Sequence, residues 1–165
     1  EVLHLVPGDV AEVVVHHRPE DGDLDLHRQR VVLLLFEELD DALTVVEDQF
    51  GCPTSAFDIA DGIMSVVAAW QADPARGANG VYHLAGTGET HWAGFARAIF
   101  AASARRGGPS ATVTGIPSSG YPTRATRPAN SRLDCTRMAE TFGYRAPRWQ
   151  DSLDVVMDRL VAPAA

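Results

Sequence analysis

The spacing of apolar positions changes character near residue 50 of this 165-residue chain. Upstream, Val13–Val15 and Val31–Phe36 are β-branched or aliphatic runs of strand length, separated by loop-forming residues from Pro19 to Asp25. The intervening stretch His16–Arg30 follows neither a period of 2 nor one of 3.6. Glu37–Leu43 has room for one or two helical turns. Thr44–Phe50 alternates loosely and runs into Gly51, as a strand entering a loop does.

Downstream the local signals agree with one another. Asp58 and Asp61 mark a helix start, the acid being favoured by the helix dipole. Ile59, Ile63, Val66, Val67 and Trp70 recur at helical spacing and predict one buried face, with Asp73 and Pro74 as the stop. Val81–Ala85 predicts a short strand. Thr90 is the predicted cap of a second helix, whose apolar stripe is Trp92, Phe95, Ile99 and Phe100 and whose end is Gly107-Gly108-Pro109. Ala111–Ile116 predicts another strand, and Pro117–Pro128 a long loop. Asp134 caps a short helix that buries Met138 and Phe142 and closes on Gly143 in the left-handed conformation. Asp151 or Ser152 opens the last helix, which buries Leu153, Val156, Met157 and Leu160. Strands alternating with helices make this an α/β chain without internal repeats.

Composition excludes several functions. The longest aliphatic and aromatic run, Val31–Phe36, is far below the roughly 18 residues of a membrane span. A net charge of −8 argues against general nucleic-acid binding through phosphate neutralisation. No basic segment followed by an apolar one opens the chain, so no secretory signal is expected. The absence of a first Met points to processing or truncation. Two cysteines, Cys52 and Cys135, are too few for a disulfide framework and suit a reducing cytosol, with both expected to be buried rather than reactive. All 14 basic residues are Arg. Any mechanism that needs a Lys is therefore excluded within this chain. The charge is also uneven: residues 1–50 hold 13 acids and three Arg, whereas residues 51–165 hold nine acids and 11 Arg.

Candidate chemistry is sparse. Leu84-Ala85-Gly86-Thr87-Gly88 offers a strand, a Gly-x-Gly turn and a helix in the order of a dinucleotide site. The third glycine falls at His91, however, and Arg105 and Arg106 stand where a ribose-binding acid belongs. A tight strand-to-helix turn without a cofactor is the better reading. No Tyr is followed one helical turn later by Lys: the residues at that spacing from Tyr82, Tyr121 and Tyr144 are Gly86, Ala125 and Arg148, the last pair being broken by Pro147. His4, His16, His17, His27, Glu12 and Asp21–Asp25 look superficially like metal ligands. A calcium loop there lacks its Gly at Leu26 and its closing Glu at Val32, which favours a solvated charged stretch. No Gly-x-Ser-x-Gly elbow supports a nucleophilic triad. Arg124, Arg127 and Arg132, mixed with Thr123, Asn130 and Ser131, fit two readings: a diphosphate or sugar-hydroxyl site, or a loop whose guanidinium groups pair with acids and helix ends.

Four segments in the same order carry a family likeness. Val45-Val46-Glu47-Asp48-Gln49-Phe50-Gly51-Cys52-Pro53-Thr54 resembles the strand and loop before the substrate-domain helix of the dTDP-4-dehydrorhamnose reductases. Gly80–Thr90 resembles their next strand and turn. Ile116-Pro117-Ser118-Ser119 with Tyr121-Pro122, then Arg127-Pro128-Ala129-Asn130-Ser131-Arg132-Leu133-Asp134, is similar to their most distinctive C-terminal stretch. Cys135–Gly143 and Trp149–Leu153 follow in order. The likeness runs from Leu43 to Val161.

The resemblance implies an incomplete C-terminal part of an extended short-chain dehydrogenase (Rossmann-like) fold, with residues 43–165 as the substrate-binding part and residues 1–42 as an atypical leader. In the intact family a Rossmann half binds NADPH or NADH, and the C-terminal half closes over a dTDP-sugar. Hydride transfer to the C4 keto group of dTDP-4-dehydro-L-rhamnose then gives dTDP-L-rhamnose for cell-surface polysaccharide. The glycine-rich cofactor loop, the catalytic Ser or Thr and the Tyr-x-x-x-Lys dyad belong upstream of residue 43, and residues 1–42 contain none of them. A reading-frame shift in a GC-rich gene would produce such a leader. The expectation is a cytoplasmic chain with no catalytic residues of its own and no cofactor bound alone. Gln49, Gly51, Pro53 and Thr54 would lie near the cleft, and Arg127, Asn130 and Ser131 on the nucleotide-sugar side, with Arg127 either touching diphosphate or anchoring its loop. The alternative is a non-catalytic sugar-nucleotide-binding or regulatory protein of the same family, which includes the regulatory subunit of methionine adenosyltransferase. The missing half, or a second copy of the chain, would cover the apolar surface that the piece exposes.

Overall fold

A computed structural model describes residues 42–77, 80–121, 123 and 127–161. The two upstream strand runs, the charged His/Asp stretch, Arg124 and all of the leader except Ala42 lie outside the described residues. The elements are β1 (Ala42–Val46), β2 (Phe50–Gly51), α1 (Ala56–Ala72), β3 (Thr90–His91), α2 (Trp92–Ala104), β4 (Thr112–Ile116), a 3₁₀ turn (Ser118–Gly120), α3 (Thr136–Phe142) and α4 (Trp149–Leu160).

β1 and β4 pair in parallel, from Ala42 opposite Thr112 to Val46 opposite Ile116. A parallel pair needs a long crossover, and the two longest helices, α1 and α2, lie in it. The ladder continues one residue further, where the Glu47 amide donates to the Ile116 carbonyl at 2.9 Å. Two-residue β2 and β3 form a second, antiparallel pair, Phe50 opposite His91 and Gly51 opposite Thr90. The single strand expected over Thr44–Phe50 is thus two strands that serve different sheets.

The core is small: α2 packs against α4, and α3 packs against α1, where Phe142 meets Trp70 edge to face. Ala93, Phe100, Ala102, Met138, Phe142, Ala146, Trp149 and Met157 are buried, and Trp149 meets Phe95 edge to face at 5.7 Å. Arg106 ties α2 to α4, donating to Asp158 at 2.7 Å and to Asp154 at 3.1 Å; Arg105 also pairs with Asp154 at 3.0 Å. Partial burial pushes the Asp154 carboxyl up, but the hydrogen bonds from Arg106 and Arg105 outweigh it and hold the group below its ordinary value. The two arginines that occupy the ribose-acid position in the sequence are therefore helix-pairing residues.

Helix α1 is held differently from expectation. Its cap is Ser55, whose hydroxyl accepts from the Phe57 amide at 3.1 Å, so Asp58 sits inside the first turn. Part of the predicted buried stripe faces outward: Ile63 is 55 % exposed and Ile59 is exposed too, while Val66 and Val67 are half-buried and the exposed Trp70 still meets Phe142 edge to face. The inner face instead carries Gly62 and the 7 %-exposed Asp58. A Cβ at Gly62 would meet the Leu84 and Tyr144 side chains, which explains why that face approaches so closely. Asp58 accepts from the Ser152 hydroxyl at 2.6 Å, and its backbone carbonyl accepts from the Tyr144 hydroxyl at 2.7 Å. Burial first, and then the Asp58 and Asp61 charges, raises the Tyr144 phenol above its ordinary range.

Other expectations shift in detail. Val81–Ala85 is not a strand and has no ladder partner among the described residues. His91, not Thr90, caps α2, and Trp92 leaves the buried stripe with 53 % exposure. Helix α3 follows the sequence closely: the Asp134 carboxylate accepts from the Thr136 amide at 2.9 Å, Met138 and Phe142 are buried, and Gly143 has a φ of 72°. Helix α4 opens at Trp149, two residues early, and Leu160 is exposed while Ser152 is buried. Tyr144 and Arg148 fall between α3 and α4, off any common helix. Cys52 and Cys135 are free thiols, each half-buried rather than buried.

Candidate functional site

A cleft of about 390 Å³ opens where β2, β3 and the start of α2 meet, lined by Gln49, Gly51, Cys52, Pro53, Thr54, Thr90, His91, Trp92, Phe95 and Ser131. Five of these belong to the sequence-predicted set: Gln49, Gly51, Pro53, Thr54 and Ser131. They come from two stretches some 80 residues apart, joined by backbone. The Phe50 amide donates to the Ala129 carbonyl at 2.9 Å, and the Ser131 amide donates back to the Phe50 carbonyl at 2.8 Å. Gly51 lets the two stretches cross closely, since a Cβ there would lie 2.9 Å from the Ser131 hydroxyl and force it to shift.

Most polar groups of the wall are engaged within the protein. Thr54 Oγ1 donates to the Cys52 carbonyl at 2.9 Å and accepts from the Gly86 amide at 3.0 Å. The Ser131 hydroxyl donates to the Phe50 carbonyl at 3.1 Å, and one Gln49 amide proton goes to the Ser118 hydroxyl at 3.0 Å. Ser118 in turn donates its hydroxyl, and its amide at 2.8 Å, to Asp48, and these bonds hold that carboxyl below its ordinary value. The Asp48–Ser118–Gln49 relay fixes the end of β1 against the turn after β4.

Asn130 and Arg127 do not line the cleft. Asn130 accepts from the Arg132 amide at 3.1 Å and from its guanidinium at 2.8 Å; Arg132 also pairs with Glu89 at 2.6 Å and lies over the Phe50 ring, 5.8 Å from its centroid. Arg132 thus ties its loop to the turn before β3. Arg127 is exposed and forms no ion pair among the described residues.

His91, Trp92, Phe95, Thr90 and Cys52 complete the wall and were not singled out as site residues. The signal was available for Trp92: a large aromatic in the first turn of a helix, directly after a cap, sits at the mouth of whatever that helix end faces. Periodicity alone assigned it to the core.

The Gly86-Thr87-Gly88 turn is packed tightly within the chain. A Cβ at Gly86 would stand 2.1 Å from the Pro53 carbonyl oxygen, and one at Gly88, where φ is 91°, would touch the Trp149 ring. The Gly86 amide goes to Thr54, and the Thr87 amide to the Pro147 carbonyl at 2.8 Å. These glycines allow close packing inside the chain, and the Gly86 and Thr87 amides already have acceptors. Among the described residues no group of three or more His, Cys, Asp or Glu side chains is placed to hold a metal, and no helix is long and apolar enough to cross a membrane.

Comparison with known proteins agrees with this architecture. Residues 29–162 match the family model described as the RmlD substrate binding domain, a match that begins upstream of Leu43. A dTDP-4-dehydrorhamnose reductase of Sinorhizobium fredii is 41 % identical over 120 residues, which are 73 % of this chain and 40 % of that protein. Among solved structures, the dTDP-4-dehydrorhamnose reductase of Clostridium acetobutylicum superposes with a TM-score of 0.63 at 28 % identity, covering 78 % of this chain and 42 % of that one. The Bacillus anthracis reductase, solved in complex with NADP, shares the fold with a TM-score of 0.59 at 24 % identity, covering 77 % of this chain and 40 % of that one. The chain spans less than half the length of the curated relatives it matches. With its substrate-binding-domain match and its α/β architecture, the chain belongs to the dTDP-4-dehydrorhamnose reductase family.

Proposed function

We propose that this chain is the substrate side of a dTDP-4-dehydrorhamnose reductase: it binds and orients a dTDP-sugar in the cleft between β2, β3 and α2, and does not carry out the reduction alone. The observation that carries the reading is the convergence of Gln49, Gly51, Pro53, Thr54 and Ser131 on one cleft. Apolar walls with a few fixed polar groups are what a nucleotide ligand requires. Arg127, exposed and without an ion pair among the described residues, serves the diphosphate, while Asn130 acts through Arg132 to hold the loop.

The reduction itself needs a hydride donor and a proton donor. The engaged Gly-x-Gly turn argues against NADPH or NADH binding by these residues, and the sequence has no Lys to complete a Tyr/Lys dyad. Residues 1–42, of which 29–42 fall within the substrate-binding-domain match, contain neither a glycine-rich loop nor a Tyr/Lys pair to supply them. The rest of the enzyme would be a Rossmann half, whose place is the outward face of α1 and the unladdered Val81–Ala85 segment. Two free thiols suit a cytoplasmic setting.

Full-length chain assayed with dTDP-4-dehydrorhamnose and NADPH should show no turnover, and turnover should appear when a Rossmann half from a relative such as the Sinorhizobium fredii protein is supplied. Turnover by the chain alone would overturn this assignment. A non-catalytic regulatory role gains support from the same engaged turn, and is distinguished by dTDP-sugar binding with no turnover even when that half is present.

A further inference from the structure

The ring of His91 has two nitrogens in different circumstances. Nδ1 accepts the Gly94 amide at 3.2 Å, capping α2. Accepting requires a lone pair on Nδ1, so in the neutral ring the proton sits on Nε2. That N–H has no partner among the described residues, and His91 is one of the residues that line the cleft. The ring is also held from its other side: Phe50 meets it edge to face at 5.5 Å, and Phe50 is itself fixed by the backbone bonds to Ala129 and Ser131 and by Arg132.

The neighbouring groups sharpen the contrast. The Thr54 and Ser131 hydroxyls donate to backbone carbonyls, and Thr90 Oγ1 lies 3.4 Å from the His91 carbonyl. Two ring N–H groups, His91 Nε2 and Trp92 Nε1, are left without acceptors among the described residues, on adjoining residues of a wall that also contains Phe95. A fixed donor beside a half-exposed indole suits a flat ring that carries a carbonyl acceptor and an aromatic face.

The geometry points to His91 as a specificity residue for the nucleobase: its cap to Gly94 locks the tautomer, and the locked Nε2–H donates to a carbonyl of a pyrimidine ring lodged against Trp92. The inference rests on the dTDP-sugar reading of the cleft and deepens it by assigning the base end.

Asparagine separates the two tasks of His91, because it is a preferred helix cap but lacks a donor at the reach of Nε2. Full-length wild type, His91→Asn and His91→Ala are compared by thermal unfolding and by calorimetric titration with dTDP and with dTDP-rhamnose. His91→Asn should unfold near the wild-type temperature yet bind dTDP roughly 2- to 10-fold more weakly, the loss of one neutral hydrogen bond. His91→Ala should lose both stability and affinity. In ¹⁵N spectra of the wild type, the His91 Nε2 proton should be present and should move on addition of dTDP. Equal dTDP affinity in wild type and His91→Asn would overturn the inference while leaving the cleft assignment intact. A loss confined to dTDP-rhamnose would overturn the assignment to the base. Failure of the wild type to bind either ligand would remove the dTDP-sugar reading and this inference with it.

Discussion

Thr54 and Gly86, 32 residues apart, are joined by a single hydrogen bond of 3.0 Å from the Gly86 amide to the Thr54 hydroxyl oxygen. The hydroxyl proton goes on to the Cys52 carbonyl, so one side chain braces both the cleft floor and the Gly-x-Gly turn. Replacing Thr54 with Val keeps the shape and strands the Gly86 amide. The expected cost is about 1–3 kcal/mol, measured by chemical denaturation, with Thr54→Ser restoring most of it. An unchanged stability for Thr54→Val would show that the bond contributes nothing.

Gly86 itself is the tightest backbone approach at this site. Gly86→Ala pushes a methyl toward the Pro53 carbonyl and should destabilise by about 1–3 kcal/mol while weakening dTDP binding, because Pro53 is part of the cleft wall. Gly107→Ala is the control. Its φ of 74° imposes strain of about 1–2 kcal/mol, but nothing lies within 4 Å of the new methyl and the cleft is remote, so dTDP binding should stay at the wild-type value.

The two loop arginines should separate by phenotype. Arg127→Ala should weaken dTDP binding by roughly tenfold and reduce its salt dependence, with no change in unfolding temperature. Arg132→Ala breaks the contacts to Asn130, Glu89 and the Phe50 ring, and should lower the unfolding temperature. Unaltered dTDP affinity in Arg127→Ala would take that residue out of the site.

Asp48 sets an acid limit on the relay that holds Gln49. Its carboxyl is depressed by the Ser118 hydroxyl and amide, so its contribution is complete above the unfolded aspartate value of 3.8 and is lost as the pH falls through the lower folded value. Unfolding temperature plotted against pH below 4 should fall more steeply in the wild type than in Asp48→Asn. Parallel curves would contradict this.

The short helix α3 and the parallel strand β4 were legible in the sequence because their signals are local: an Asp before the helix, a glycine after it, a β-branched run bounded by turns. The outward face of α1 was misread for a physical reason. Ile59, Ile63 and Trp70 have the period of a buried stripe, but the face that packs in the described structure is selected by a glycine, Gly62, and a buried acid, Asp58, whose partners Leu84, Tyr144 and Ser152 lie 22 to 94 residues away. The unpaired Val81–Ala85 shows the same dependence: strand propensity needs a neighbour to become a ladder. In the cleft, Gln49, Gly51, Pro53, Thr54 and Ser131 were reached through family likeness, whereas His91 and Trp92 acquire their place only through the β2–β3 pairing.

The most direct test of the proposed dTDP-sugar site is a titration of the purified ¹⁵N-labelled chain with dTDP-rhamnose and, separately, with NADPH, followed by both heat and backbone amide shifts. dTDP-rhamnose should bind and move the amides of Gly51, Thr54, His91 and Ser131, with no heat and no shifts from NADPH. Binding of NADPH to the Gly86–Gly88 turn, or dTDP-rhamnose shifts that spare these four residues, would contradict it.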